Sequence, residues 1–310
     1  TVQEGNLLRK EGITQPILVM GGLIPGQIPE LIHHHLTPVL TNEEITRHLI
    51  EQLELHPTPY PVHIKVDTGM GRLGFRPESI VSFLDTSAFK KTLHIEGIMT
   101  HLSDADNPTS EYTRDQIKQF RALISQLTCL GYSMTMIHAA NSAGIMYHPS
   151  SHFSMVRPGL MLYGGSTRKT PHPNIVLRPV MKVSTHIVHV RSVMPGESIG
   201  YGRSYKTTRP SKIAILPVGY AHGYSRSLSN KGFVLVQGHR VPIVGKICMD
   251  MMLVDITNMT QATLGEEVVL IGQQGGEEIS AENIAEWVGT IPYEIMCNIG
   301  TGSHHLYESL

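Results

Sequence analysis

The sequence is poor in cysteine and tryptophan, and the shortage of cysteine excludes a fold held together by disulfides or by a structural zinc ion. Its 310 residues include three cysteines and one tryptophan. The cysteines, Cys129, Cys248 and Cys297, are far apart and form no Cys-x-x-Cys pair. They therefore predict neither a disulfide framework nor a structural zinc site, and they indicate a reducing, cytoplasmic compartment.

Excess charge and long apolar runs are also missing. The 25 basic and 26 acidic residues give a formal net charge of -1, which offers no electrostatic footprint for nucleic acid or an anionic membrane. There is no run of about 18 apolar residues, and Glu4, Arg9 and Lys10 stand where a signal peptide would be apolar. We expect a globular protein, 41% hydrophobic in composition, that acts on a small molecule, with no metal site.

The first half of the chain alternates short apolar runs with amphipathic stretches. Parallel strands are predicted at 17–20, 37–40, 62–66, 95–100, 134–138 and 153–159. Helices are predicted at 42–53, 77–84 and 113–130, the last with Gly131 as its C-cap. Repeated strand-helix units favour a (β/α)8 TIM-type barrel. Because such a barrel needs about eight strands, the first one or two units, on the order of 60 residues, are expected to be missing.

The second half has alternating strands separated by Gly and Pro turns. Strands are predicted at 183–191, 212–217, 233–236, 241–244, 252–256 and 267–271, and one helix at 280–287 with Ser280 as its N-cap. The segment 164–179, rich in Gly, Ser, Thr and Pro, is predicted to be a linker. The predicted domains are an incomplete, cofactor-binding barrel over 1–177 and a mostly β domain over 178–310.

The run from Lys65 to Phe75 ends an apolar strand in a turn with three glycines. Barrel strands deliver active-site groups at such ends. Arg72 in this turn offers a planar, permanently charged fork that suits a carboxylate. Lys65 is also explained without any role in the chemistry, as the ion-pair partner of Asp67 or of another acidic residue at a strand end.

Two further turns are typical of anion binding. Arg157 and Gly159 follow the last predicted barrel strand, and Ser142 follows the strand before it. Together they suggest a phosphorylated cofactor held by backbone donors. Either turn alone is explained as well by structure, since Asn141-Ser142 is also an ordinary helix cap.

Taken together, the motifs closely resemble those of the alanine racemase family, pyridoxal 5'-phosphate enzymes with a barrel and a β domain. The matching segments are 65–75, 138–144, 153–164, 198–205, 217–223, 244–250 and 290–294. They occur in the family's order and span essentially the whole chain. The resemblance implies the role of each matching residue.

By this resemblance, Tyr201 is a catalytic base that acts across a dimer interface on the cofactor in the partner's barrel. Arg157 is the arginine at the pyridine nitrogen, and His101 links it to the tyrosine.

The resemblance also implies binding residues. Phosphate contacts are implied for Ser142, Gly159, Leu160 and Tyr293, cofactor and substrate contacts for Arg72, and substrate contacts for Met249 and Tyr220. Lys65 matches a lysine that is carbamylated in some members. Without the family, Tyr201 would be interpreted as a packing residue and His101 as a hydrogen-bonded core histidine.

The chemistry agrees with the implied roles. Racemisation removes the α-proton from one face and returns a proton to the other, so it needs two bases. A tyrosine serves only if its pKa, about 10 when unperturbed, is lowered, and a cationic network through His101 and Arg157 is expected to do so. An arginine at the pyridine nitrogen keeps its own proton. The weaker electron sink that results favours racemisation over transamination.

The sequence departs from the family at three places. The family's cofactor-linking lysine, which is also the second base, has no counterpart, since the lysines at 10, 65, 90 and 91 lie in other contexts. His222 stands where aspartate is common, and the tail 300–305 lacks the usual arginines. These two departures concern substrate range and turnover rather than the fold.

The sequence thus predicts an isomerase that interconverts L- and D-alanine, as a cytoplasmic homodimer with composite active sites, to supply D-alanine for peptidoglycan. The 310 residues alone are expected to be inactive. The alternatives are a racemase of serine or of several amino acids, and a non-catalytic cofactor-binding or scaffold fragment.

Overall fold

The computed structural model describes residues 1–54, 59–168, 172–259, 261–299 and 304–307. The chain divides into two compact units, Thr1–Gly159 and Leu160–Leu310. The domain boundary after residue 177 stays a prediction. Residues 169–171 of the predicted linker and residues 300–303 of the tail lie outside the described residues.

The first unit is built on a parallel sheet whose five strands lie in chain order, β1 to β5. The strands are β1 (Leu18–Val19), β2 (Thr37–Leu40), β3 (Tyr60–Lys65), β4 (Leu93–Met99) and β5 (Met136–His138). The helices are α1 (Val2–Lys10), α2 (Ile28–His33), α3 (Glu43–Gln52), α4 (Pro77–Leu84), α5 (Ser87–Thr92), α6 (Glu111–Cys129) and α7 (Ser142–Tyr147). Parallel strands connected by helices give the barrel-like α/β architecture that the sequence predicts.

Local capping sets the ends of the predicted helices. The side chain of Asn42 accepts a hydrogen bond from the backbone of Ile45 (2.9 Å), so α3 begins where the sequence places it. Ser110 caps α6 in the same way, so α6 begins at Glu111, two residues before the predicted start, and Gly131, with φ of +87°, follows its last turn. The bounds of α4 agree with the prediction.

The strand predicted at 153–159 is wrong. Only Met155 pairs, in an isolated parallel bridge with His138. Phe153 has a φ of +49°, which is incompatible with a strand, and Pro158 has no N–H to donate. The backbone N–H groups of Ser154 and Met155 both donate to the carbonyl of Ile137 (3.1 Å each), and the ring of Phe153 packs edge-on against Phe120 at 5.4 Å between centroids.

The second unit consists mostly of antiparallel strands. They are β6 (Val183–His186), β7 (His189–Val193), β8 (Ser198–Ile199), β9 (Tyr205–Lys206), β10 (Ser211–Leu216), β11 (Phe233–Val236), β12 (His239–Pro242), β13 (Met252–Asp255), β14 (Glu267–Gln274) and β15 (Glu277–Ile279). Two helices, α8 (Ala281–Val288) and α9 (Pro292–Asn298), follow them. One sheet has the order β13-β10-β7, a second has β12-β11-β14-β15 with β6 also on β14, and β8 pairs with β9.

The single strand predicted at 183–191 is two strands in different sheets. The backbone of Ile187 still donates to Glu266 (3.0 Å), which leads into β14, whereas that of Val188 donates to Ile215 (3.0 Å) in β10. The chain therefore changes sheets between these two residues. The apolar alternation changes phase at this corner, where Ile187 and Val188 are adjacent, and the prediction of a single strand overlooked that shift.

The helix predicted at 280–287 is confirmed as α8. Ser280 caps it through a reciprocal pair of hydrogen bonds with Asn283, and Gly289, with φ of +78°, ends it. Within the described ranges, no helix has the length and apolar character needed to cross a membrane.

Candidate active site

Asp67 organises the turn that carries Arg72. Its Oδ1 accepts hydrogen bonds from the backbone N–H groups of Gly69 (2.9 Å), Met70 (2.7 Å) and Gly71 (3.1 Å), and its Oδ2 accepts one from Arg72 (3.1 Å). Burial opposes ionisation, but the four backbone donors together lower the pKa of the Asp67 carboxyl. The carboxylate thus acts as the centre of the turn.

Two glycines let the turn close around this carboxylate. Gly69 and Gly74 have φ values of +133° and +128°, which L side chains rarely adopt. A Cβ at Gly74 would also lie 2.8 Å from the backbone nitrogen of Asp67. The carbonyl of Gly69 accepts a hydrogen bond from the hydroxyl of Tyr112 (2.8 Å), so the first turn of α6 fixes the outer side of the turn. The guanidinium of Arg72 is exposed.

Arg157 lies at the ends of two strands of the parallel sheet. Its Nη2 is 2.9 Å from the carbonyl oxygen of Thr100 and 3.0 Å from that of Ala139, directly after β4 and β5. Its Nη1 donates to Nδ1 of His138 (2.8 Å). Burial lowers its pKa to about 10, so it remains cationic at neutral pH. Among the described residues, its Nε–H and the second hydrogen of Nη1 have no partner.

His101 lies beside this guanidinium but carries no charge. Its Nδ1 is 3.3 Å from Nη2 of Arg157. Burial, followed by the charges of Arg157, Arg72 and Lys65, lowers the pKa of His101 to about 4. The positive charge of the expected network through His101 and Arg157 therefore lies on Arg157, and His101 takes part through hydrogen bonding. Because an arginine can only donate, Nδ1 accepts and the ring proton lies on Nε2.

Lys65 is the last residue of β3 and is 4% exposed. Its ammonium group forms no hydrogen bond or ion pair with any residue that the structure describes. The alternative Lys65–Asp67 ion pair is absent there, although the charge of Asp67 still acts on the lysine. Burial, the charge of Arg72 and the charge of Arg157 lower the pKa of Lys65, in that order of size.

The predicted anion turn at Ser142 is joined to the segment after Arg157. The backbone N–H of Gly159 donates to Oγ of Ser142 (2.9 Å). Asn141 caps α7 by accepting from the backbone of Gly144 (2.9 Å), so the ordinary capping explanation also holds. Leu160 follows Gly159 in the chain and begins a short 3-10 turn.

Tyr220 and Met249 are brought together in the second unit. The backbone of Tyr220 donates to the carbonyl of Cys248 (3.1 Å), and that of Ala221 donates to the carbonyl of Met249 (2.8 Å). Nδ1 of His222 accepts from the backbone of Gly219 (3.2 Å), within the turn that carries Tyr220. A carboxylate, as in the aspartate that the resemblance implies at this position, could accept the same bond.

Tyr201 and Tyr293 lie on separate segments of the second unit. Tyr201 is 70% exposed and stands between Gly200 and Gly202, both with positive φ. A Cβ at Gly200 would lie 3.2 Å from the backbone nitrogen of Lys246, so the turn packs closely on that residue. Tyr293 is 40% exposed near the start of α9.

Sequence reasoning did not identify the roles of His63, His138 and Asp67. His63 and His138 are 2% and 0% exposed, and their rings are joined by a hydrogen bond of 2.8 Å. The available signal was a histidine inside each of two apolar strands. That signal does not tell which strands are neighbours, so it could not identify the pair.

The fold, together with Lys65, His101 and Arg157 at the strand ends, defines an enzyme of the class that couples a barrel-like α/β domain to a mostly β domain. Residues 1–167 match the family model described as "Alanine racemase, N-terminal domain", and residues 180–307 match "Alanine racemase, C-terminal domain". The chain belongs to the alanine racemase family, whose members are isomerases.

Curated relatives and solved structures agree with the family models. Alanine racemase of Halothermothrix orenii is 43% identical, over 96% of this chain and 78% of the relative, and that of Symbiobacterium thermophilum is 41% identical, over 96% and 79%. The alanine racemase structure from Bartonella henselae, described with covalently bound pyridoxal phosphate, has a TM-score of 0.89 at 29% identity and covers 99% of this chain and 83% of that one. The structure from Bacillus anthracis, described with bound L-Ala-P, has a TM-score of 0.86 at 34% identity, with 96% and 77% covered.

We expect Asp67→Asn to loosen the Arg72 turn, because an amide offers one acceptor oxygen where the carboxylate offers two. The free energy of local opening should fall by about 1–3 kcal/mol, measured as faster amide hydrogen exchange at residues 69–72. The folded pKa of Asp67 is below the usual value near 4, so its contribution is fully present above about pH 4 and is lost as the pH falls through the folded pKa.

Asp85→Asn is the matched control, since Asp85 is an exposed carboxylate that pairs with Lys90 on the same unit. It should leave exchange at residues 69–72 unchanged. Equal exchange in the wild type and Asp67→Asn would show that the carboxylate does not hold the turn.

Proposed function

We propose that this chain, joined to the family's lysine-bearing segment, interconverts L- and D-alanine with pyridoxal 5'-phosphate, and that residues 1–310 alone do not. The observation that carries the proposal is the anchored Arg157 guanidinium, which stays charged and keeps two N–H donors unpaired among the described residues. It lies on the same edge of the sheet as Lys65 and His101. The inactivity of residues 1–310 is proposed because none of their lysines lies in the cofactor-linking motif.

The residues present fit the cofactor. An unpaired N–H of Arg157 suits the pyridine nitrogen, and the Ser142 hydroxyl with the backbone of Gly159 and Leu160 suits the phosphate, together with Tyr293. When bound, pyridoxal 5'-phosphate supplies an electron-withdrawing ring that delocalises the charge left by the departing α-proton. Because Arg157 keeps its own proton at neutral pH, it would donate to the ring nitrogen without protonating it.

The substrate is proposed to be held by its carboxylate. The Asp67 turn positions the backbone of Arg72, whose guanidinium carries a permanent charge. The backbone N–H of Met249 makes no hydrogen bond within the described part of the second unit, which leaves a donor for a carboxylate oxygen. Tyr220, fixed to the Met249 turn by the backbone bonds above, would limit the size of the substrate side chain.

Tyr201 is proposed as one of the two bases, contributed by the partner subunit of a homodimer. Its phenolic oxygen would take the α-proton from one face. His101, whose Nε2 carries the ring proton, would donate a hydrogen bond to that oxygen and so stabilise a phenolate. Tyr201 is 70% exposed, and Tyr220 and Met249 are also exposed, as expected of aromatic and methionine side chains that a second subunit covers. We place the enzyme in the cytoplasm, where its D-alanine would supply peptidoglycan synthesis.

The test compares the 310-residue polypeptide with a version to which the lysine-bearing first-strand segment is added at Thr1. Each is mixed with pyridoxal 5'-phosphate, its visible absorption is recorded before and after borohydride, and racemisation is followed from both alanine enantiomers. We expect a borohydride-sensitive spectrum and racemisation only in the extended version. If the extended version folds and dimerises but shows neither property, it is not a racemase. Racemisation by the 310 residues alone would contradict the proposed inactivity.

Replacing Tyr201 by Phe in the extended version should suppress proton abstraction from one face by about 10²–10⁴-fold, because the phenolic oxygen is removed while the ring remains. The measurement is exchange of the α-hydrogen of each alanine enantiomer in heavy water. Tyr163→Phe, at another exposed tyrosine of the same unit, is the control and should retain both rates. If α-hydrogen exchange from both enantiomers is undiminished in Tyr201→Phe, Tyr201 is not one of the two bases.

The same variant tests the shared site. Tyr201→Phe subunits mixed with subunits that lack the linking lysine should regain activity, because one composite site of each heterodimer is intact. A proven heterodimer without activity would contradict sharing across the interface.

Lys65 is proposed to be carbamylated. A lowered pKa increases the fraction of neutral amine, whose nitrogen adds to the carbon of CO₂ while a proton passes to water. The product turns an unpaired buried cation into an anion that the charges of Arg72 and Arg157 stabilise. The carbamate would then help to hold Arg72 toward the substrate.

A ¹³C NMR spectrum recorded with ¹³C-bicarbonate should contain one carbamate signal that grows as the pH rises, because deprotonation of Lys65 precedes its reaction. Lys65→Met should remove the signal. Lys90→Met, at an exposed lysine paired with Asp85, should retain it. A signal that persists in Lys65→Met, or none in the wild type, would assign Lys65 as an unmodified lysine.

A further inference from the structure

Three neighbouring strands carry a line of buried polar groups that ends at Arg157. Nη1 of Arg157 is 2.8 Å from Nδ1 of His138, and Nε2 of His138 is 2.8 Å from Nδ1 of His63. Nε2 of His63 in turn faces Oε2 of Glu96 at 3.7 Å. The two imidazoles are almost fully buried, whereas the Glu96 side chain is 29% exposed.

The direction of every hydrogen bond along this line follows from the arginine. A neutral imidazole has one donor and one acceptor nitrogen, and a guanidinium can only donate. Nδ1 of His138 must therefore accept, which puts the proton of His138 on Nε2. That proton can only be donated to Nδ1 of His63, so His63 carries its own proton on Nε2, toward the Glu96 carboxylate.

Gly97 provides the space for this contact. His63 on β3 is paired with Gly97 on β4, and Gly97 is paired with Met136 on β5, two residues before His138. A Cβ at Gly97 would lie 2.5 Å from both Cε1 and Nδ1 of His63. The ring of His63 thus crosses the middle strand where that strand has no side chain.

The position of Glu96 results from an irregularity in the same strand pair. Val62 pairs with Ile95, but the next residue, His63, pairs with Gly97, so Glu96 is an extra residue in β4. A bulge of this kind changes the direction of a side chain relative to a regular strand. Here the bulge allows the Glu96 carboxylate on β4 to approach the ring of His63 on β3.

We propose that His63 and Glu96 are positioning residues of the active site, which fix the tautomer and the orientation of His138 and thereby hold the Arg157 guanidinium. The inference rests on the proposed function for its catalytic consequence only. Both imidazoles are neutral because burial lowers their pKa values, that of His138 to about 2. Glu96 supplies a negative charge at the far end of the line, which favours the direction of hydrogen bonding that Arg157 requires.

The test measures the ring nitrogens directly, in the 310-residue protein without cofactor. Long-range ¹H–¹⁵N spectra of ¹⁵N-histidine protein should show His138 as a single tautomer protonated on Nε2. In His63→Phe the acceptor is lost while the ring shape is kept, and we expect the His138 signals to broaden or to shift toward a tautomer mixture. In His63→Gln the side-chain oxygen restores an acceptor, and the wild-type signals should return.

Two further variants keep the test decisive. His48→Phe removes an exposed histidine that also faces a glutamate, Glu51, and should leave the His138 signals unchanged. Glu96→Gln changes a partly exposed side chain and should shift the His63 ring nitrogens even if His63→Phe does not fold. A single, unshifted His138 tautomer in His63→Phe, unshifted His63 signals in Glu96→Gln, or His63→Gln spectra that resemble His63→Phe would overturn the proposal.

The cofactor provides a separate readout. In the version with the lysine-bearing segment, His63→Phe should weaken the affinity for pyridoxal 5'-phosphate about tenfold, as loss of an orienting partner commonly does, and His63→Gln should restore it. If the wild type neither binds this cofactor nor racemises alanine, the proposed function fails while the tautomer measurement still decides the role of His63. Unchanged affinity in His63→Phe would limit His63 to a structural role.

Discussion

The charged guanidinium of Arg157, held largely by neutral acceptors, is the constraint on which the rest of the strand-end site depends. A buried charge is costly unless its donors are satisfied. Here two backbone carbonyls, those of Thr100 and Ala139, and the ring nitrogens of His138 and His101 satisfy part of the guanidinium's donors, and no carboxylate among the described residues pairs with it. The site therefore retains a net positive charge, and the segment that carries Arg157 is tied to the ends of β4 and β5.

This positive charge sets the protonation of its surroundings. With burial, it keeps His101 and His138 neutral and lowers the pKa of Lys65. Asp67, whose charge acts on Lys65, accepts hydrogen bonds from four backbone donors and forms no direct ion pair with these cations within the described ranges. Such an arrangement suits an anionic ligand, and it also makes the strand-end histidines donors and acceptors of hydrogen bonds instead of cations.

The comparison of sequence and structure separates local signals from spatial ones. Capping residues such as Asn42 and Ser280 and the amphipathic pattern of α4 act within a few residues of chain, and the helices they predict are present. The segment 153–159 has an apolar pattern typical of a strand, but Pro158 and the positive φ of Phe153 limit pairing to a single bridge at Met155, and packing against Phe120 helps to hold the segment. At the corner between β6 and β7 the alternation changes phase by one residue, at Ile187 and Val188, and so small a shift does not by itself show that the hydrogen-bond partner changes.

The sequence by itself determined the family, the barrel-like and β units, and the identity of the side chains at the strand ends, because motif order and local periodicity are properties of the chain alone. Only the tertiary structure decided that Asp67 serves the turn instead of Lys65, that His101 is neutral, and that His63 reaches His138 across Gly97. The physical reason is that protonation and hydrogen-bond partners depend on burial and on strand register. Register includes the single extra residue at Glu96, and no spacing within one strand encodes it.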